Sequence, residues 1–220
     1  MIKIKSMLVA SGLGLCCAVA ATAGKLVTVD NFGRAHTDVL TARYVKLGGF
    51  AKFYHFRAVS IPRDGQELIR LNRDTLYSIG TFDLDAGPVT IVKPDPGDRF
   101  QSMQVWNQDF SVFRPVEYGQ GEFIFTRESV GTRYVTAVFR TFIIPNDPED
   151  LEAANALQDK IQSIQEFPRA YEVPDWDKGS QTKVEMALRS LRETRVSGEG
   201  TIGERSELDK LDYLMGVAQS

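Results

Sequence analysis

The densest chemistry in the chain lies in seven consecutive residues, Asn72-Arg73-Asp74-Thr75-Leu76-Tyr77-Ser78, which bring together a guanidinium, a carboxylate, an amide, two hydroxyls and a phenol. They stand at the entry to what reads as an inner strand, where a polar group without a partner is costly. Such a run serves one of two purposes. As scaffold, Arg73 and Asp74 pair while Asn72 and Thr75 satisfy the backbone of the turn. As a site, Asn72, Arg73, Asp74 and Tyr77 receive a polar ligand, with Arg73 clamping an anionic group. In that case Asn107-Gln108-Asp109, at the end of another strand, converges on the same place.

Other familiar patterns fail for want of context. Gly198-Glu199-Gly200-Thr201-Ile202-Gly203 has the spacing of a dinucleotide-binding loop, but a helical pattern precedes it where a strand is required, so it reads as a surface turn. Ser180-Gln181-Thr182-Lys183 matches S-x-x-K without the second lysine motif that chemistry needs, and Ser180 reads as a helix cap. Two histidines, His36 and His55, are too few for a three-histidine metal centre, and there is no H-E-x-x-H. Neither a metal nor a cofactor is expected. No G-x-S-x-G elbow is present, which disfavours a hydrolase of that type. Trp106, Phe110, Phe113, Phe123 and Phe125, spaced along strands, read as core rather than as a ligand groove.

These residues have to be positioned by something. Asp30 to Leu47 reads as a helix capped by Asp30, with Phe32, Ala35, Val39, Ala42 and Val45 on one docked stripe and Gly48-Gly49 at its end. From Phe50 to Ile144 the period changes to two. Strands are predicted over Leu76 to Leu84, Val89 to Val92, Phe100 to Asn107, Glu122 to Thr126 and Arg133 to Ile144. Asp64-Gly65, Asp85-Ala86-Gly87 and Gly119-Gln120-Gly121 read as hairpin-type joints. Roughly seven short strands predict an antiparallel sandwich. After Pro145, Asp147 and Pro148 open a helix with Leu151, Ala154, Leu157, Ile161 and Ile164 on one stripe. Two further helices are predicted over about Gln181 to Arg195 and Ser206 to Ala218. The fold class is therefore α+β.

The N-terminus carries an address rather than structure. Lys3 and Lys5 precede an apolar stretch, and Ala21-Thr22-Ala23 supplies a cleavage site, the pattern of a removable secretory signal. Both cysteines, Cys16 and Cys17, fall inside it, so the mature chain is expected to hold neither a disulfide nor a thiol site. Leu15 before Cys16 argues against lipidation. The full chain has a formal net charge of −3 and no basic run, which leaves no footprint for nucleic acid. No stable membrane span is expected after cleavage, and the location is periplasmic or secreted.

At the Asn72 to Ser78 run the chain resembles the domain-of-unknown-function family 1254. The similarity continues through Phe82 to Val89, Met103-Gln104-Val105 with Asp109, Tyr118-Gly119, Val130 to Tyr134, Pro145 to Pro148, Leu157-Gln158-Asp159 and Val173 to Trp176. The resemblance implies an immunoglobulin-like β-sandwich followed by a helical subdomain, and it marks Gln104 and Asp109 as two further residues of interest. It supplies no catalytic residues. Members commonly continue into a β-domain of the companion family 1214; this chain is expected to lack it, so that a site between two domains would be absent or completed by another chain. The expected partners are a second β-domain protein, another copy of this chain, or a small polar ligand.

The expected organisation is a signal peptide over 1–23, an N-terminal helix over 24–49, a β-sandwich over 50–145 and a helical subdomain over 146–220. Two functions remain open. One is a periplasmic or secreted binding or assembly module in which the cluster Asn72, Arg73, Asp74, Thr75, Tyr77, Ser78, Gln104 and Asp109 is a polar site or a structural network. The other is an enzyme acting on a small polar or saccharide substrate, with Asp74 as acid or base and Tyr77 and Arg73 as proton donor and electrostatic stabiliser. An enzyme needs a cleft on which Asp74, Tyr77 and Asp109 converge, whereas a scaffold needs Arg73 sealed against Asp74.

Overall fold

Among the described residues the two-residue period is realised in seven strands. They are β1 (Phe53–His55), β2 (Thr75–Asp83), β3 (Val89–Lys93), β4 (Gln101–Asn107), β5 (Gly121–Phe125), β6 (Tyr134–Phe142) and β7 (Gln162–Ile164). The structure is a computed structural model that describes residues 24–59, 72–166, 169–194 and 207–219. One antiparallel sheet has the order β1-β2-β6-β4 and the other β5-β3-β7. Because alternate side chains point to opposite faces, Phe82, Met103, Val105, Val135, Ala137 and Phe139 project from the first sheet onto Val89, Ile91 and Phe125 of the second. Each large side chain buried this way stabilises the fold by about 1.5 to 3 kcal/mol. The architecture is α+β with a β-sandwich-like pair of sheets. Four and three strands match the division in an immunoglobulin constant domain, but β6 lies between β2 and β4 where that fold has its fifth strand.

The joints do different work from hairpins. Asp85-Ala86-Gly87 separates strands of different sheets, as does Gly119-Gln120-Gly121, so each carries the chain across the sandwich. Gly87 has φ 126, a conformation open to glycine without strain. Asp64-Gly65 lies outside the described residues, as does the Gly198 to Gly203 motif.

Among the described residues the sheets are joined by the helices α1 (Phe32–Lys46), α2 (Arg127–Val130, a single turn), α3 (Pro148–Gln158), α4 (Lys178–Thr194) and α5 (Glu207–Val217). Helix α1 begins two residues later than expected, after a 3-10 turn over Val29–Asn31, so Asp30 is not its cap. Its buried face is also rotated. Phe32 and Ala35 are buried as predicted, but Thr37, Asp38 and Thr41 take the next places while Val39 is 36% exposed. Helix α3 opens as expected, with Asp147 accepting from the amides of Glu149 and Asp150. It stops at Gln158, short of the predicted stripe. Ile161 turns into the sandwich core and Gln162–Ile164 pairs with β3 instead of continuing the helix.

A second core joins α1, α4 and α5 through Phe32, Ala35, Leu188, Met215 and Val217, with Trp176 among them. The segment before α1 is clasped by the segment before α4. The Lys25 amide donates to the Asp175 carbonyl at 2.6 Å and the Asp177 amide to the Lys25 carbonyl at 2.9 Å. The Val27 amide donates to Ser180 Oγ at 2.9 Å. Asp177 rather than Ser180 acts as the cap, its Oδ1 accepting from the Ser180 amide at 2.7 Å. These contacts leave Ser180 buried within the first turn of α4.

Candidate functional site

Asn72 organises the run that follows it. Its Oδ1 accepts from the amides of Asp74 (3.1 Å) and Thr75 (3.2 Å), so the side chain substitutes for a backbone turn partner as the chain enters β2. Its Nδ2 donates to Thr75 Oγ1 and, at 3.3 Å, to the Tyr77 hydroxyl. Thr75 and Tyr77 project from the sheet face opposite the sandwich core. Across the ladder from Tyr77 stands Arg140 of β6. Its Nε donates to Thr75 Oγ1 at 3.4 Å, and its guanidinium lies over the Tyr77 ring, 5.7 Å from the centroid. Arg140 is exposed, and no carboxylate among the described residues pairs with it. On β4, Ser102 lies beside Arg140 in register and Gln104 one step along the same face, where Gln104 is exposed.

Arg73 and Asp74 do not form the expected pair. Both are exposed, and among the described residues neither makes an ion pair. The physical reason lies in the alternation: the buried places at the strand entry go to Thr75 and Leu76, which leaves the two preceding residues in solvent. Asp109 does not converge on the site either. Asn107 of β4 is in register with Val135 of β6, whereas Thr75 is in register with Phe142 at the other end of that strand. Seven residues of strand separate those rows, about 23 Å at roughly 3.3 Å per residue. Asp109 instead pairs with Arg34 of α1 at 2.6 Å.

Ser78 points inward and is fully buried. Its Oγ lies 2.8 Å from His55 Nδ1 and accepts from Gln158 Nε2 at 3.0 Å. Serine beside histidine suggests a nucleophile and its base, but a hydroxyl at 0% exposure meets no substrate. Gln158 also donates to the carbonyls of Tyr77 (3.1 Å) and Phe56 (3.3 Å). Arg57, anchored to Asp159 at 2.5 Å, reaches the Gln158 side-chain oxygen at 3.4 Å. Burial holds the His55 pKa below its ordinary value, which favours the neutral ring. The network therefore ties β1, β2 and α3 together behind the exposed face.

The sealed arginine–aspartate pair exists at the opposite end of β2. Asp83 is fully buried and accepts from Arg133 Nη2 at 2.8 Å and Nε at 3.1 Å. Arg133 further approaches Asp85 and Glu172 and covers the Tyr134 ring. Close by, Asp38 of α1 is buried and accepts from Gln108 Nε2 (2.9 Å) and Trp176 Nε1 (3.0 Å). Desolvation raises the Asp38 pKa against the pull of those two hydrogen bonds. Gln108 in turn accepts from the Tyr134 amide at 3.1 Å, so Asn107-Gln108-Asp109 serves the docking of α1.

The expected aromatic core divides in two. Phe125 is buried between the sheets with Phe113 and Phe123 packed against it, whereas Trp106 and Phe110 stack towards His36 of α1. Among the described residues no group of three or more histidine, cysteine, aspartate or glutamate side chains is gathered to hold a metal, and no helix is long and apolar enough to cross a membrane.

A family described as Protein of unknown function (DUF1254) matches residues 50–165, which hold all seven strands and α3. No curated protein matches the chain. Among solved structures it is similar to the VPA0106 protein from Vibrio parahaemolyticus at 15% identity, with a TM-score of 0.48. That likeness covers 87% of this chain and 55% of the other, so the chain spans about half the length of the Vibrio protein.

Proposed function

The chain belongs to the DUF1254 family, and from that premise we propose that it is an exported binding or assembly module which takes a small polar, anionic ligand on the open sheet face at Arg140. One observation carries the reading. Arg140 is exposed and without a carboxylate, yet it is held in place by Thr75 Oγ1 and the Tyr77 ring. A guanidinium presents a planar fork of donors suited to a carboxylate or phosphate. Holding it on a rigid strand lowers the ordering cost of binding. Gln104 supplies an exposed amide on the same face, and Arg73 adds a second exposed cation at the strand entry. Export rests on the signal pattern of residues 1–23, with 24–49, 50–145 and 146–220 as the units of the mature protein. A second β-domain protein or another copy of the chain is a candidate to cover the same face, where Phe142 is 38% exposed.

The enzymatic alternative receives less support. It requires Asp74, Tyr77 and Asp109 to converge, and Asp109 stands with α1 at the far end of the sheet. Native mass spectrometry of the protein from its own host tests the binding reading. The expected result is a chain beginning after Ala23 that carries a small ligand, with that ligand missing from the Arg140→Gln variant. A mass that still includes Cys16 and Cys17, or a ligand retained equally by Arg140→Gln, overturns it.

A further inference from the structure

A second feature lies on the other side of α1 and shares no residue with the face just described. The predicted apolar stripe of α1 leaves the core after Ala35, because Thr37, Asp38 and Thr41 take the buried positions. Val39 and Ala42 are displaced into the wall of a groove of about 370 Å³. Val173, Pro174 and Trp176 form its opposite wall. Arg43 and Lys46, one helical turn apart on α1, and Lys178 at the start of α4 also line it.

The charges of this groove are unbalanced. Arg43, Lys46 and Lys178 are all exposed, and no carboxylate among the described residues pairs with any of them. Of the two carboxylates in the lining, Asp38 is buried and committed to Gln108 and Trp176, and Asp175 stands exposed. Lys25 adds a fourth cation, 4.7 Å from the centre of the Trp176 ring. An acidic protein has thus gathered four cations against one exposed carboxylate, Asp175, beside an apolar wall. Its volume falls within the range of small-molecule sites, roughly 300 to 1,000 Å³.

We propose that this groove binds a small organic anion, whose oxyanion head sits between Arg43, Lys46 and Lys178 and whose apolar body lies on Val39, Ala42, Val173 and Pro174. Neither half suffices alone. Exposed cations hold a bare ion weakly because solvent screens them, and the apolar wall has no means of orienting a neutral body.

Calorimetric titration of the full chain with three probes tests this: 1-naphthoate, the neutral 1-naphthalenemethanol and inorganic phosphate. Naphthoate is expected to bind about ten-fold more tightly than either of the others, a margin typical of one well-placed charged contact. The Arg43→Gln/Lys46→Gln double variant should lose about that factor. Ala42→Phe, which fills the groove without altering charge, should abolish binding while leaving the melting temperature near wild type. Arg140→Gln should leave naphthoate binding unchanged, which separates this site from the open sheet face. Equal affinity for naphthoate and its alcohol, no naphthoate binding at millimolar concentration, or undiminished binding in both groove variants overturns the proposal.

Discussion

The two ends of β2 carry similar side chains and put them to opposite uses. At Asp83 a carboxylate at 0% exposure meets Arg133 through two hydrogen bonds, and Arg133 is itself 25% exposed under Glu172 and Tyr134. At the other end Arg140 rests on Tyr77 with no carboxylate, while Asp74 and Arg73 point into solvent. Composition therefore does not distinguish a brace from a binding surface. Burial does, because an ion taken from water must be matched at once, whereas an exposed ion can wait for a ligand.

The largest effect should come from the sealed end. Asp83→Ala takes the bidentate partner from Arg133, which keeps only its longer contacts to Asp85 and Glu172, and breaking a buried pair costs about 3 to 5 kcal/mol. That is a large share of a typical total stability of about 5 to 15 kcal/mol. The denaturant midpoint should fall steeply; a midpoint within error of wild type would break the comparison.

Gln158→Leu sharpens it from behind. The substitution keeps the approximate volume but removes the donor to Ser78 Oγ, the Tyr77 carbonyl and the Phe56 carbonyl. A buried group left without its partner costs about 1 to 3 kcal/mol. Thermal or chemical unfolding should register a loss in that range. No loss would mean that water replaces the amide, and that the back of the open end is less sealed than it looks.

The smallest effect is expected at the entry to β2. Asp74→Ala removes an exposed carboxylate with no ion-pair partner among the described residues, so stability should stay within about 0.5 kcal/mol of wild type at an unchanged denaturant slope. A loss of several kcal/mol would restore the structural reading of Arg73 and Asp74.

Local patterns were legible where the cause was local. Alternation located β2 through β6, and Asp147-Pro148 marked the start of α3, because strand phase and helix capping are read from near neighbours. Asn72 and Thr75 could likewise be assigned to the turn they occupy. What could not be read was pairing between distant residues. Asp83 and Arg133 meet only once β2 and β6 are in register, 50 positions apart. Arg140 escapes the sequence pattern for the same reason, although it carries a signal as an arginine in the outward phase of an otherwise uncharged strand. The rotation of α1 was hidden too, since the apolar stripe argued for Val39 and Ala42. Asp38 became tolerable inside only when Gln108 and Trp176, from remote parts of the chain, reached it.

The clasp between Lys25 and Asp175 has a consequence for the order of events on the ribosome. Synthesis runs from the N-terminus at about 5 to 20 residues per second, so the strand partner of Lys25 and the hydroxyl that receives the Val27 amide, 153 positions further on, emerge long after both. During that interval α1 has no Trp176 to fill the space beside Phe32 and no donor from Trp176 for Asp38. A nascent chain halted before Trp176 should therefore keep its first helix accessible to protease even if the strands already synthesised have paired.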